Sequence, residues 1–146
     1  MTTPIGDPTD YVVGLLLRRA HRRASRVFGQ ALLPLGIEPP HFGVLHTLAR
    51  LGPMSQRGLI DQLGSDKSAM VRTVDELERL GYARRRPAQG DRRAYAVELT
   101  PGGRQALADG VTAAQAAAEE FLTDLDREER ATLKSLLTRL LATPSP

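Results

Sequence analysis

The stretch RRRPAQGDRRAYAVELTPGG, which runs from Arg84 to Gly103, decides how the rest of the chain is interpreted. It places five arginines within ten residues, on both sides of the turn-forming sequence AQGD. Short strand-like runs, YARRRP and AYAVELT, flank that turn, so the stretch predicts a β-hairpin that leads into a helix starting at Thr100-Pro101. The arginines are open to two interpretations, a solvated charged loop and a cationic hairpin directed at a polyanion.

The composition restricts the class of protein. A chain of 146 residues with 41% hydrophobic and 25% charged residues has the size and composition of one ordinary globular domain. It contains no cysteine, which excludes disulfides, thiolate metal sites, cysteine nucleophiles and thiol redox sensing. The start, MTTPIGDPTD, is too polar for a signal peptide, and no apolar run approaches the length of a membrane span. We therefore expect a cytoplasmic protein with no membrane partner.

Two short helices precede the hairpin. The first, MSQRGLIDQLG, is expected to direct inward Leu59, Ile60 and Leu63. After a break at Gly64-Ser65 comes DKSAMVRTVDELERLG, whose apolar seam consists of Met70, Val74, Leu77 and Leu80. Its outer face carries Arg72, Asp75, Glu76 and Arg79. Two short helices joined by a tight turn indicate a helix-turn-helix, and the hairpin that follows makes it the winged form.

Longer helices flank this lobe. The first follows Pro8 and ends at Pro34 and Gly36, and the next begins near Pro40 and ends at Gly52. After Thr100, an alanine-rich helix is expected to have one apolar side made of Leu107, Val111, Ala114, Ala118, Phe121 and Leu122. The last helix has a stripe of Leu133, Leu136, Leu137, Leu140 and Leu141. A chain of this size has difficulty burying all these stripes alone, which favours a dimer.

With these elements in place, the chain resembles the MarR family of transcriptional regulators over nearly its whole length. The resemblance rests on Asp91-Arg92-Arg93 followed by AVELTPGG, and on the lead-in ELERLGYARR. It implies a mainly α fold with a small β-hairpin wing, in which a winged helix-turn-helix lobe joins intertwined N- and C-terminal dimerisation helices. A single MarR-like domain would span 1–146, with dimerisation helices at 10–33 and 101–142 and the DNA-binding lobe at 40–100.

The resemblance implies a sequence-specific DNA-binding transcriptional regulator, a homodimeric repressor that binds a palindromic operator in double-stranded DNA and is released by a small anionic effector. The alternative is a helical protein-interaction or dimerisation module without sequence-specific DNA binding. An enzyme is not expected, because the sequence shows no nucleophile–base arrangement and no glycine-rich phosphate loop; Gly102 and Gly103 only follow a helix-starting proline. No histidine stands with a cysteine or paired carboxylate at ligand spacing, so neither a metal site nor a cofactor is expected.

On the second short helix, the recognition helix, the resemblance implies DNA contacts by Lys67, Ser68, Ala69, Arg72 and Thr73. Arg72 can bind guanine O6 and N7 with its guanidinium fork, or a phosphate if the register differs. Ala69 stands where the family usually has a hydroxyl, so its methyl group would pack on thymine. For Lys67 and Thr73, an exposed helix face without DNA contact is an equally open interpretation.

In the wing, the resemblance assigns Arg93 to the minor groove and Asp91 to holding the Arg93 side chain extended. A narrow minor groove concentrates negative potential, and a guanidinium fits it without a unique base code. Phosphate contacts are expected from Arg84, Arg86 and Arg92. Arg85 is expected to brace the wing. The alternative is a solvated turn with an incidental Asp–Arg pair.

A second basic group lies on the first long helix and consists of Arg18, Arg19, Arg22, Arg23 and Arg26. One interpretation is a solvated outer face. The other follows from the resemblance: members of the group line a cleft between the dimerisation helices and the DNA-binding lobe, and bind a small anionic, often aromatic, effector.

Overall fold

The structure, a computed structural model, describes residues 6–88 and 90–142, although the side chains of residues 91–93 lie outside the description. The described residues form six α-helices, a 3-10 turn at Leu33–Leu35 and one antiparallel hairpin. The helices are α1 (Val12–Leu32), α2 (Pro39–Leu51), α3 (Gln56–Leu63), α4 (Lys67–Arg79), α5 (Pro101–Phe121) and α6 (Arg127–Ala142), and the strands are β1 (Ala83–Ala88) and β2 (Asp91–Leu99). The predicted mainly α fold with a hairpin wing is confirmed.

Several helices begin or end where capping residues satisfy their terminal backbone groups. Gly36 adopts a φ of 72° after the 3-10 turn, a left-handed conformation that glycine accepts without strain. The Ser55 hydroxyl accepts the Gly58 N–H at 3.1 Å and begins α3. The Asp66 carboxylate accepts the Ala69 N–H at 2.8 Å and begins α4. These caps fix where the two helices of the motif start.

The core of the lobe lies where α2, α3, α4 and the hairpin meet. Its fully buried side chains include Val44, Leu45, Leu59, Val74, Leu77 and Val97. Met70 is buried with them, and the half-buried Leu80 packs against this core. The expectation that Leu63 points inward is wrong. It is the last residue of α3, and its side chain lies at the edge of the lobe beside Gly43, partly exposed to solvent.

The hairpin has two faces with different neighbours. Arg85 pairs with Val97 across the strands and lies on the face toward α3 and α4, whereas Arg84 pairs with Glu98 on the opposite face. Two backbone hydrogen bonds between Met54 and Val97, of 3.2 and 2.8 Å, fasten β2 to the connection between α2 and α3. The base of the wing is therefore part of the lobe, and its outer face is open to solvent.

The fully buried residues of α5 lie beside the apolar side predicted from the sequence, which itself packs against the core and against Phe28. The predicted side is half-buried throughout and consists of Leu107, Val111, Ala114, Ala118, Phe121 and Leu122. The buried residues are instead Gly103, Ala106, Gly110 and Ala117. Small side chains let α5 approach its neighbours closely: a Cβ at Gly110 would stand 2.9 Å from the ring of Phe42 in α2. Close approach, rather than side-chain volume, decides which residues of α5 are fully buried.

Gly103 follows the helix-starting Pro101, as expected, and it also closes the junction between the hairpin and α5. Thr100 accepts the Gly103 N–H at 3.0 Å, and its hydroxyl donates to the Gly81 carbonyl at 2.5 Å. A Cβ at Gly103 would overlap the carbonyl oxygen of Tyr82. The first turn of α5 thus rests directly on the backbone at the start of the wing.

Gly103→Ala is expected to lower the free energy of unfolding by about 1–3 kcal/mol, because the new methyl group must displace backbone rather than a mobile side chain. The matched control is Gly29→Ala inside α1, where a Cβ would meet only the Pro39 ring at 4.0 Å. That change should stabilise the protein by about 0.5–1 kcal/mol. Urea unfolding followed by circular dichroism measures both variants, and a Gly103→Ala variant as stable as the parent would contradict the close contact.

Large apolar side chains on α1 and α6 are exposed to solvent. Tyr11, at the start of α1, is 75% exposed and Leu15 is 58% exposed. None of the residues 127–142 of α6 is buried, and Leu140 in its leucine stripe is 60% exposed. Apolar surface of this extent is typical of an interaction site. No helix among the described residues has the length and apolar character to cross a membrane.

Candidate nucleic-acid interface

The N-terminal half of α4 presents most of the predicted recognition residues to solvent. Lys67, Ser68 and Arg72 are exposed, and Ala69 is half-buried beside them. Thr73 differs, because its half-buried hydroxyl donates to the Ala69 carbonyl at 2.9 Å and its side chain lines a cleft toward α1. The surface available to a base edge therefore consists of three polar side chains and one methyl group.

Charge is distributed unevenly along α4. Its N-terminal half carries Lys67 and Arg72, and the acidic residue beside it, Asp66, is the N-cap whose carboxylate accepts the Ala69 N–H. Its C-terminal half carries Asp75, Glu76, Glu78 and Arg79, all of them exposed. The helix dipole adds further positive potential at the N-terminus. A polyanion is therefore attracted to the N-terminal half, which is the part of a recognition helix that reads base edges in the major groove.

A buried histidine fastens α4 to α2. The Glu38 N–H donates to Nδ1 of His41 at 2.9 Å, so Nδ1 carries no proton and Nε2 does. Nε2 donates to Oε2 of Glu76 in α4 at 2.5 Å, from a side chain that is only 6% exposed. One imidazole therefore caps α2 and orients α4. Reasoning from the sequence missed this contact, because a lone histidine has no spacing signal that would name its partner.

Arg85 connects the hairpin to both helices of the motif. Its Nε donates to Oε1 of Gln56 in α3 at 2.7 Å, and its Nη1 lies 2.8 Å from Oδ1 of Asp75 in α4. It also forms an ion pair with Glu78, whose second carboxylate oxygen accepts the Arg85 N–H at 3.3 Å. The planar guanidinium suits several simultaneous acceptors. These contacts agree with the bracing role expected of Arg85.

The outer face of the hairpin carries a second set of ion pairs. Nε of Arg84 lies 2.6 Å from Oε1 of Glu98, and Nε of Arg86 lies 2.9 Å from Oε2 of the same residue. One carboxylate thus holds two of the three arginines that were expected to contact phosphates. The sequence gives little sign of this, because the register shifts between Pro87 and Ala88 and thereby places Glu98 opposite Arg84.

Several concave surfaces adjoin α1, and two of them bear most on the predicted effector residues. A cleft of about 340 Å³ faces the DNA-binding lobe and is lined by His21, Ser25, Pro39, Pro40, Gly43, Leu63, Ser65, Met70 and Thr73. The arginines are absent from it. Arg19, Arg22, Arg23 and Arg26 instead line a groove of about 920 Å³ between α1, the end of α5 and α6. Arg18 is exposed and lines neither surface. Arg26 alone of the group also lines a third, of about 490 Å³, beside Pro39 and Pro40.

Comparison with known proteins identifies the family. A sequence model that describes the MarR family matches residues 35–94 of this chain. These residues include α2, α3, α4 and the turn of the hairpin. The HTH-type transcriptional repressor NicR of Pseudomonas putida is 30% identical in a match that covers 96% of this chain and 93% of NicR. The chain belongs to the MarR family.

Solved MarR-family structures have the same fold. A variant of E. coli MarR in complex with operator DNA is 27% identical, with a TM-score of 0.79 over 93% of this chain and 99% of that chain. BpsR of Bordetella bronchiseptica, whose DNA binding is regulated by 6-hydroxynicotinic acid, is 26% identical, with a TM-score of 0.79 over 88% of this chain and 97% of that chain. The protein is a DNA-binding transcriptional regulator with a winged helix-turn-helix lobe.

The MarR-family wing motif lies at the tip of the hairpin. Asp91, Arg92 and Arg93 begin β2 just after Gly90, which adopts a φ of 86° in the turn. Their side chains lie outside the described part of the chain. The assignment of Arg93 to the minor groove, with Asp91 as its partner, therefore stays a prediction.

Proposed function

We propose that this MarR-family regulator is a homodimeric repressor that acts in the cytoplasm, binds a palindromic operator and is released by a small anionic effector. It is a regulator and not an enzyme. The observation that carries the proposal is the attachment of an arginine-rich hairpin to an exposed recognition helix through Arg85. NicR, a repressor, and the operator complex of E. coli MarR support the same role.

The recognition helix and the wing contact adjacent grooves of one operator half-site. The N-terminal half of α4 enters the major groove, where Arg72 binds guanine or a phosphate and the Ala69 methyl lies against a thymine methyl. Arg93 enters the neighbouring minor groove, held extended by Asp91. Lys67, Ser68 and Arg92 contact the DNA phosphates, and so do Arg84 and Arg86, whose guanidinium groups share the Glu98 carboxylate with those phosphates.

Arg72→Ala is expected to weaken operator binding by about 1–3 kcal/mol, the scale of one good groove contact. The matched control is Arg79→Ala, which removes the same charge from the exposed C-terminal end of α4. Fluorescence anisotropy would compare an operator selected from random duplexes by the parent protein with a scrambled duplex. An equal loss of affinity for the operator in both variants would contradict the assignment of Arg72 to the groove.

A homodimer follows from the surfaces that a single chain leaves uncovered. Large apolar side chains are exposed on α1 and α6 outside the groove that Leu133 and Leu137 line, namely Tyr11 and Leu15 at the start of α1 and Leu136, Leu140 and Leu141 in α6. A symmetric dimer buries each copy of this surface against the other. Two recognition helices related by a two-fold axis read a palindrome when they lie about 34–36 Å apart.

A chain that ends at Asp126, and so lacks α6, is expected to aggregate or to become a monomer that binds the operator poorly. The control chain ends at Ala142 and retains all of α6, so it should remain a dimer. Size-exclusion chromatography with light scattering measures the mass of each. A stable dimer of the chain that ends at Asp126 would show that α6 is dispensable for assembly.

An anionic effector finds countercharge in the groove between α1, α5 and α6. Four arginines line it, and the Arg23 guanidinium lies 6.0 Å from the centre of the Phe121 ring, so the groove combines positive charge with an aromatic surface. BpsR, whose DNA binding is regulated by 6-hydroxynicotinic acid, an aromatic carboxylic acid, supports this effector class. A ligand weakens DNA binding only by its preference for the non-binding form, and a tenfold loss needs about 1.4 kcal/mol of preference.

An aromatic carboxylate such as salicylate, at up to millimolar concentration, is expected to dissociate the operator complex. Arg22→Ala and Arg26→Ala should raise the concentration needed, because each removes a countercharge from the groove. Arg18→Ala is the matched control, since Arg18 lies on the same helix outside the groove. Anisotropy titration of the preformed complex measures release. Full release at the parent's concentration in the groove variants would place the effector elsewhere.

A further inference from the structure

The three arginines of β1 face three carboxylates in the folded protein. The pairs are Arg84–Glu98, Arg86–Glu98, Arg85–Asp75 and Arg85–Glu78. Three positive and three negative charges leave this strand and its partners with a net charge of zero (3 − 3). The arginine count of the hairpin therefore overstates the positive charge that it offers to DNA.

Glu98 is the acidic residue placed to interfere with DNA binding. Its side chain is only 15% exposed, whereas those of Arg84 and Arg86 are 63% and 47% exposed on the outer face of the hairpin. A phosphate that approaches these arginines either displaces the Glu98 carboxylate or binds beside a charge of its own sign. Both routes reduce what the arginines contribute to binding.

We propose that Glu98 is a specificity-determining residue, which holds Arg84 and Arg86 on the hairpin and thereby restrains sequence-independent binding to DNA. The inference rests on the proposed operator binding. Every DNA sequence presents the same phosphates, so these two arginines add affinity without sequence information. In a non-operator complex the protein takes whichever register gives the most phosphate contacts, whereas base contacts fix the register on the operator. Glu98 therefore weakens non-operator binding more than operator binding.

A restraining role and a purely structural role for Glu98 predict opposite changes in DNA affinity when its charge is removed. If Glu98 only stabilises the hairpin, its neutralisation loosens the wing and weakens binding to every DNA. If Glu98 restrains the arginines, neutralisation releases them to phosphates and strengthens binding to non-operator DNA. Glu98→Gln keeps the size of the side chain and removes only the charge, so it separates the two roles.

Glu98→Gln is expected to bind a short scrambled duplex about three- to tenfold more tightly than the parent, with a smaller gain on the selected operator. The logarithm of its binding constant should fall more steeply with the logarithm of KCl concentration, by about 0.9 for each added phosphate contact. Glu98→Asp retains the charge and should bind like the parent. Glu119→Gln removes a charge from the Arg130 ion pair of α5 and α6, far from the wing, and controls for net charge.

The proposal would be overturned if Glu98→Gln kept the parent's thermal stability but bound the scrambled duplex no more tightly than the parent does, and with no steeper dependence on salt. An equal gain in Glu119→Gln would overturn it too, by showing an effect of net charge. If Glu98→Gln does not fold, Glu98→Thr replaces it in the same measurements, because threonine is neutral and favours strands. The same two outcomes apply. A parent protein with no preference for its selected duplex would instead contradict the proposed function.

Discussion

The position of the wing relative to the recognition helix depends on the contacts of Arg85. This side chain comes from β1, yet its acceptors lie in α3 and α4, so one guanidinium links all three elements of the motif. The side chain is 23% exposed, and its partners Asp75 and Glu78 are more exposed than it is. Such a half-buried arginine matters more than a single surface ion pair because one planar guanidinium positions three elements at once. Water would hydrate its exposed carboxylate partners if it were removed, so its effect lies mainly in the placement of the hairpin.

Three further contacts also fix the positions of the helices and strands of the lobe relative to one another. His41 ties α4 to the beginning of α2, and the Met54–Val97 hydrogen bonds tie β2 to the end of α2. Gly103 then seats α5 on the backbone at the start of the wing. The β1 part of the arginine-rich stretch, Arg84 to Arg86, is therefore neither a solvated loop nor an uncompensated cationic finger. It is a strand whose arginines are partly used to build the lobe, and partly restrained by Glu98 on the face that DNA can reach.

The sequence predicts the elements of the fold well, because turns and caps are local. Asp66 begins α4 and Thr100 begins α5, as capping residues do. Gly36 ends the 3-10 turn and Gly52 ends α2, at positions that favour glycine. The sequence does not predict contacts between segments that are far apart along the chain. The fully buried residues of α5 form a stripe of small residues that hydrophobicity does not mark.

The pairs of the candidate site were equally hard to predict. Extending the Ala88–Asp91 pairing along the hairpin would set Arg84 opposite Tyr95, but the register shift sets it opposite Glu98. The exposed residues of α4 were predictable from helical spacing alone. Their partners were not, since Arg85 is separated from Gln56 by 29 positions and His41 from Glu76 by 35. A single sequence carries no record of such contacts.

The most direct test of this account is a hydroxyl-radical footprint of the selected operator with the parent protein and with Arg85→Ala. The radical cleaves from the minor groove, so it reports where the wing lies, while methylation protection of guanine N7 reports the major groove. If Arg85 positions the wing, the Arg85→Ala variant, still folded, keeps the major-groove protection by α4 and loses the flanking minor-groove protection. Unchanged minor-groove protection in this variant would show that the wing finds its place on DNA without Arg85, and would contradict the account.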